Sequence, residues 1–107
     1  MNILFIGDII GKTGRDVIKE KLQYFVKKHD VDFIIANGEN VTHGKGLIYR
    51  HYLELIDLGI DVITLGNHYD SKYELKSFID DVDNIIRPAN LKSGTYPGLG
   101  TNIFYHN

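Results

Sequence analysis

The sequence predicts an α/β fold, a mainly parallel sheet with flanking helices, on three observations. Short apolar runs alternate with amphipathic segments at a repeat of about 30 residues, the size of a βαβ unit. Each of the first three runs halts at a glycine followed at once by polar side chains, at Gly7-Asp8, Gly38-Glu39-Asn40 and Gly66-Asn67-His68. The chain has 107 residues, 43% of them hydrophobic, which is enough for one modest core without disulfides and too little for a large two-layer enzyme.

Each element has its own signal. Ile3-Leu4-Phe5-Ile6 is β-branched and aromatic and reads as a buried strand. From Thr13, taken as the N-cap, Ile18, Leu22, Phe25 and Val26 recur at helical spacing with Lys19, Glu20, Lys27 and Lys28 between them. Val31 to Ala36 is a second strand, closed by Asn37-Gly38-Glu39-Asn40 and a loop through Gly44-Lys45-Gly46. Tyr52, Leu55 and Ile56 before Gly59 mark a helix with a glycine past its C-terminal end. Ile60 to Leu65 is the third strand. Leu75, Phe78 and Ile79 predict a short helix from near Ser71, Asn84 to Arg87 a fourth strand closed by Pro88, and Ile103-Phe104-Tyr105 a terminal strand after a turn-rich stretch. Right-handed crossovers then make the sheet mainly parallel.

The charge balance excludes several classes of function. Twelve Lys and Arg face fourteen Asp and Glu, with no long basic run, so no surface tracks phosphates and no stable nucleic-acid complex is expected. The absence of Cys removes disulfides, Cys-zinc sites and thiol nucleophiles, and fits a reducing compartment. The longest uninterrupted apolar runs, such as Ile3 to Ile6 and Phe33 to Ala36, fall far short of the roughly 20 residues that span a bilayer. No membrane association is expected, no signal peptide precedes the first run, and the expected location is cytoplasmic.

The polar clusters after the strands carry the chemistry. Glu39 follows Asp8 by 31 residues and Asn67 follows Glu39 by 28, each close to one βαβ repeat, so the clusters fall on neighbouring strand ends. The carboxyl ends of parallel strands form the ligand crevice of an open sheet, where Asp8, Glu39, Asn40, Asn67 and His68 are expected to converge. Two carboxylates and two amide oxygens are hard donors suited to Mn²⁺ or Mg²⁺, or with added imidazoles to iron or zinc. Two such ions polarise a phosphoryl group and activate a water, the logic of two-metal phosphoester cleavage. Glu39 lies between the other ligands and suits a bridge, while His68 is placed to protonate the leaving oxygen. His43 and Lys45, in the loop beyond Glu39, are candidates to meet an anionic substrate. His29, His51 and His106 have no partner cluster in the sequence.

Two blander patterns stand beside this one. Asp and Asn after a strand are common turn and cap formers, and each of these residues alone is more often structural. Gly7 to Thr13 approaches the phosphate-cradling G-x-x-x-x-G-K-[ST] loop but is one residue short and places Asp8 where phosphate oxygens would sit. Three equivalent strand ends bearing ligand types favour a metal site over both.

At these residues the chain resembles the YmdB-like metallophosphoesterases, a branch of the calcineurin-like phosphoesterase superfamily. The resemblance runs through Ile3 to Gly11, Asn37-Gly38-Glu39-Asn40, His43-Gly44-Lys45-Gly46-Leu47, Gly66-Asn67-His68 and Arg87-Pro88-Ala89-Asn90, nearly the whole chain. It implies half of a calcineurin-like α/β sandwich, with phosphodiesterase activity on 2′,3′-cyclic nucleotides by metal-activated water attack. It also implies that Asp8 and Asn40 bind the first of two divalent ions (iron, Mn or Mg), that Asn67 binds the second, that Glu39 bridges them and that His68 donates the proton.

Members of this family are more than twice as long, and their remaining ligands are histidines from the part beyond. Residues 1–107 are therefore expected to be the N-terminal part of an incomplete domain, holding at most one weakly bound ion. The alternative function is a catalytically inactive fragment or assembly partner that binds metal or nucleotide weakly. An exposed sheet edge and apolar face further predict self-association into a homo-oligomer, or pairing with a complementary C-terminal chain.

Overall fold

The computed structural model describes residues 1–92 and 94–106. Four strands, β1 (Ile3–Ile6), β2 (Phe33–Asn37), β3 (Val62–Thr64) and β4 (Ile85–Ile86), lie side by side in chain order, and every pairing is parallel. Ile6 stands opposite Ala36, Ala36 opposite Ile63, and Ile63 opposite Ile85, so these side chains share one face. The crossovers run through α1 (Gly11–Lys28), α2 (Tyr49–Asp57) and α3 (Leu75–Phe78), which continues as a 3₁₀ turn over Ile79–Asp81. Successive right-handed crossovers that all step the same way put every helix on the same side of the sheet.

The core lies between that face and the helices. Ala36, Leu47, Leu55 and Ile63 are completely buried, with Leu22, Ile34, Leu75, Ile79 and Ile85 beside them. Burial of a leucine such as Leu55 is worth roughly 2 kcal/mol. The opposite face is open by comparison. Ile3 and Phe5 are each 58% exposed there, and Phe33 meets Phe104 and the edge of His106 at ring distances of 6.4 and 6.5 Å.

α2 ends as its glycine predicts. Gly59 has φ +109°, its N–H donates to Ile56 O at 3.0 Å, and Ile60 N–H reaches back to Leu55 O at 3.2 Å, closing a Schellman turn. Other boundaries differ from expectation. α1 starts at Gly11, ahead of Thr13, because Gly11 N–H is held by Asn40 O at 2.9 Å and Gly14 N–H already donates to Ile10 O; no side chain caps it. α3 starts at Leu75 instead of near Ser71, since Leu75, Lys76 and Ser77 donate to carbonyls three residues back and make tight turns first.

The fourth strand is only the pair Ile85–Ile86, and residues 103–105 form no strand. The Asn102 side chain donates to Asp83 O and accepts from Ile103 N–H, a local turn that takes the chain out of ladder geometry. Leu99, bridged to Ile86, makes the sheet contact in its place. Among the described residues no helix is long and apolar enough to cross a membrane.

Candidate metal centre

The ends of β1, β2 and β3 bring Asp8, Glu39, Asn40 and His68 into one hydrogen-bonded group. Asn40 Nδ2 donates to Asp8 Oδ1 at 2.6 Å, and Asn40 Oδ1 meets His68 Nδ1. The amide is turned with its oxygen toward Nδ1 of the ring, and Nε2 makes no hydrogen bond among the described residues. Glu39 Oε2 accepts from His68 N–H at 3.2 Å and lies 3.8 Å from His68 Nδ1. Its other oxygen, Oε1, accepts from Asn37 Nδ2 at 3.2 Å. Glu39 and His68 are half-buried, whereas Asp8 is exposed and held at a positive φ of 27°.

The backbone leaves room for this arrangement at Gly66. A Cβ there would stand 2.2 Å from Glu39 Oε1, so the carboxylate occupies space that only glycine provides. Asn67, the remaining expected ligand, is exposed and makes no hydrogen bond to Asp8, Glu39, Asn40 or His68 among the described residues. The structure thus joins four of the five and leaves Asn67 at the rim, next in sequence to His68.

The loop after Glu39 is tightly built. Thr42 N–H donates to Gly46 O at 2.9 Å, Lys45 N–H to Thr42 O at 3.0 Å, and Gly46 N–H to Glu39 O. His43 sits at φ +51° and, with Gly44, faces Asp8 and the start of α1 across an open cleft lined by Ile10 to Gly14. Lys45 is exposed on the same loop. Lys12, the lysine of the phosphate-loop pattern, turns along α1 to Asp16 Oδ2 at 2.6 Å, where both groups are exposed. Asp8 lines the cleft that a phosphate would have to enter, which further disfavours that pattern.

His51 does have partners, contrary to the sequence reading. It is buried on α2, where its Nδ1 lies 2.7 Å from Thr42 Oγ1, which also accepts Ile48 N–H at 3.0 Å. Its ring meets His43 edge-on with centroids 6.1 Å apart. Burial, and then the positive charges of Arg15 and Arg50, hold the His51 pKa below the usual histidine value. Arg15, also buried, donates from Nη1 to Val41 O at 2.8 Å and lies 3.8 Å from Glu54. Sequence spacing misses both anchors of the loop. Their only sequence signal is polar residues at core positions of two amphipathic helices.

Among the described residues, no three His, Cys, Asp or Glu side chains gather to hold a metal ion. Of the four expected ligands two are asparagines, which leaves the carboxylates of Asp8, held by Asn40, and of Glu39, held by His68 N–H and Asn37. Asp8, Glu39 and the Asn40 amide oxygen are hard donors of the type a small divalent ion takes, and here Asn40 presents Nδ2 to Asp8 and its oxygen to His68.

The family model described as "YmdB-like protein" matches residues 4–107. The chain belongs to the YmdB-like family. A 2′,3′-cyclic-nucleotide 2′-phosphodiesterase from Bacillus subtilis (strain 168) is 52% identical over 100 residues, which is 94% of this chain and 38% of that protein. Two solved structures share the fold. One, a hypothetical protein from Thermus thermophilus, matches with TM-score 0.83 and 36% identity over 94% of this chain. The other, a phosphatase from Mycoplasma pneumoniae, matches with TM-score 0.88 and 38% identity over 98% of this chain. The chain covers 38% of each of those structures and of the Bacillus subtilis protein, so it spans well under half the length of these relatives. Its parallel sheet with flanking helices corresponds to half of their α/β sandwich.

Proposed function

We propose that this chain is the cation-binding N-terminal portion of a YmdB-like phosphodiesterase that cleaves 2′,3′-cyclic nucleotides. The observation that carries the reading is the continuous link from Asp8 through Asn40 to His68 and Glu39, which ties three strand ends into one polar site. The name of the Bacillus subtilis relative supports the substrate class.

Asp8, Glu39 and Asn40 would hold a divalent ion, with Asn67 at its outer side; such an ion supplies charge neutralisation and an acidic water. The other roles fall to the chain's own groups. Asn40 orients the His68 ring through Nδ1, and in its doubly protonated form the ring would deliver a proton from Nε2 to the departing oxygen. His43 and Lys45, on the loop across the cleft, meet the phosphodiester. Their loop is kept in place by Thr42, His51 and Arg15.

A second reading, a non-catalytic partner that binds one ion weakly, is favoured by the lack of a third carboxylate or imidazole ligand among the described residues. Hydrolysis of a 2′,3′-cyclic nucleotide with Mn²⁺, compared between this chain and Glu39→Ala, separates the two. Activity lost in the variant supports the enzyme. No activity in either chain, with both folded, supports the partner.

A further inference from the structure

The loop that carries His43 and Lys45 is closed by a buried polar pair. Val41 and Leu47, both completely buried, fix its two ends in the core. Between them His43 holds φ +51°, a left-handed conformation that a residue with a Cβ keeps only where its surroundings impose it. Those surroundings converge on Thr42. Its N–H donates to Gly46 O and its carbonyl accepts from Lys45 N–H, while its buried Oγ1 accepts Ile48 N–H and lies 2.7 Å from Nδ1 of His51. The same imidazole meets the His43 ring edge-on. One buried ring on α2 thus touches both the residue that closes the loop and the residue that the loop presents to the cleft.

We infer that His51 is a positioning residue: its neutral ring latches the loop through Thr42, and its protonation favours release of His43 and Lys45 from their places beside the cleft. The inference rests on the reading that these two residues meet the phosphodiester. Asp8, Glu39, Asn40 and Asn67 make no bond to His51 among the described residues, so the latch is separate from the cation donors.

A charge on His51 finds poor company in the closed loop. Arg15 faces it from α1, Arg50 from its own helix and His43 from the loop, and Glu54, which opposes them, already lies 3.8 Å from Arg15. Burial adds to the cost. An open loop lets the ring reach water and take up its proton at the ordinary histidine value of 6.5, so closure is fully favoured above that pH and opening gains as pH falls below it. Because Val41 and Leu47 hold the ends, the opening is local, with the sheet and helices left in place.

The test uses the full chain, labelled for NMR. Protection of the Thr42, Lys45 and Gly46 amides against hydrogen exchange, taken relative to the unstructured rate at each pH, is expected to fall about tenfold between about pH 8 and about pH 5.5, one unit below the open-loop value. The Ile63 amide, bonded to Asn84 O in the core, is expected not to follow. His51→Gln keeps a polar group beside Thr42 without a titration and is expected to abolish the pH dependence. Thr42→Val is expected to lower loop protection about tenfold at both pH values, the loss of one hydrogen bond, and Thr42→Ser to restore the wild-type profile. At the lower pH, 2′,3′-cyclic AMP added with Mg²⁺ is expected to raise loop protection again, since a ligand held by the closed loop disfavours opening. A pH dependence that persists in His51→Gln, or a loss shared equally by the loop and Ile63, overturns the proposal. A wild-type pH profile that the nucleotide leaves unchanged supports the latch and overturns the phosphodiester reading of the loop.

Discussion

Asn40 joins Asp8 to His68: one amide group donates to the aspartate through Nδ2 and faces the imidazole through Oδ1. A side chain of two carbons thereby links the ends of β1 and β3 from a position just past β2. Replacement by Ala frees Asp8 and releases the ring of His68, and it removes one oxygen donor. Mn²⁺ affinity measured by calorimetry is expected to fall at least about tenfold in Asn40→Ala, in the range seen when groups that orient metal ligands are lost.

Gly66 and Gly38 predict opposite kinds of damage. In Gly66→Ala the new methyl collides with the far end of the flexible Glu39 side chain, which swings away at small cost to the fold. Thermal stability is expected to change by less than about 1 kcal/mol, within the range of mild substitutions, while cation affinity drops. In Gly38→Ala the methyl stands 2.7 Å from Ile63 Cγ2 in the core, where overpacking costs about 1–3 kcal/mol. Paired calorimetric scans and Mn²⁺ titrations of the two variants check this contrast.

His51 gives the fold an acid sensitivity. Its pKa is lowered in the folded chain, by burial first and then by Arg15 and Arg50, so the unfolded chain takes up a proton that the folded one resists. The neutral ring's contribution is fully present above the unfolded value of 6.5 and is lost as pH falls from there through the lowered folded value. Urea unfolding at several pH values is expected to show a loss of stability in wild type below that point which His51→Gln lacks. Identical pH slopes for the two proteins would refute the assignment.

Arg87 organises the turn-rich segment after β4. Its buried guanidinium donates to the carbonyls of Pro88 and Leu91 from Nη1, of Tyr96 from Nη2 and of Pro97 from Nε. Arg87→Leu leaves these acceptors without their donor and is expected to cost about 3 kcal/mol or more. Arg87→Lys is expected to recover only part of this, because one ammonium cannot span four carbonyls. Denaturant midpoints of the three proteins check the order.

The parts of the fold legible in the sequence are those set by local pattern. Parallel strands covered by helices read as continuous apolar runs, so β1, β2 and β3 are visible, and their spacing places Asp8, Glu39, Asn40 and His68 at one end of the sheet. The Gly59 turn is visible because only a left-handed residue closes that helix. What escapes depends on side chains finding distant backbone. Thr42 and His51 pair across a loop and the first turn of α2, and Arg15 reaches a carbonyl 26 residues on. Ile103 to Tyr105 has the composition of a strand, yet Asn102 bonds locally and turns it aside. The start of α3 lies later than its pattern predicts because 3₁₀ turns and a first helical turn share the same spacing of apolar residues.

The central claim is that three strand ends form one cation site, and paramagnetic broadening by substoichiometric Mn²⁺ tests it most directly. The account predicts that NMR signals of Asp8, Glu39, Asn40 and His68 broaden first in the wild-type chain and stay sharp in Asp8→Ala and Glu39→Ala at the same Mn²⁺ concentration. Broadening centred elsewhere, such as on Asp80, Asp81 and Asp83, or unaffected by either substitution, would contradict it.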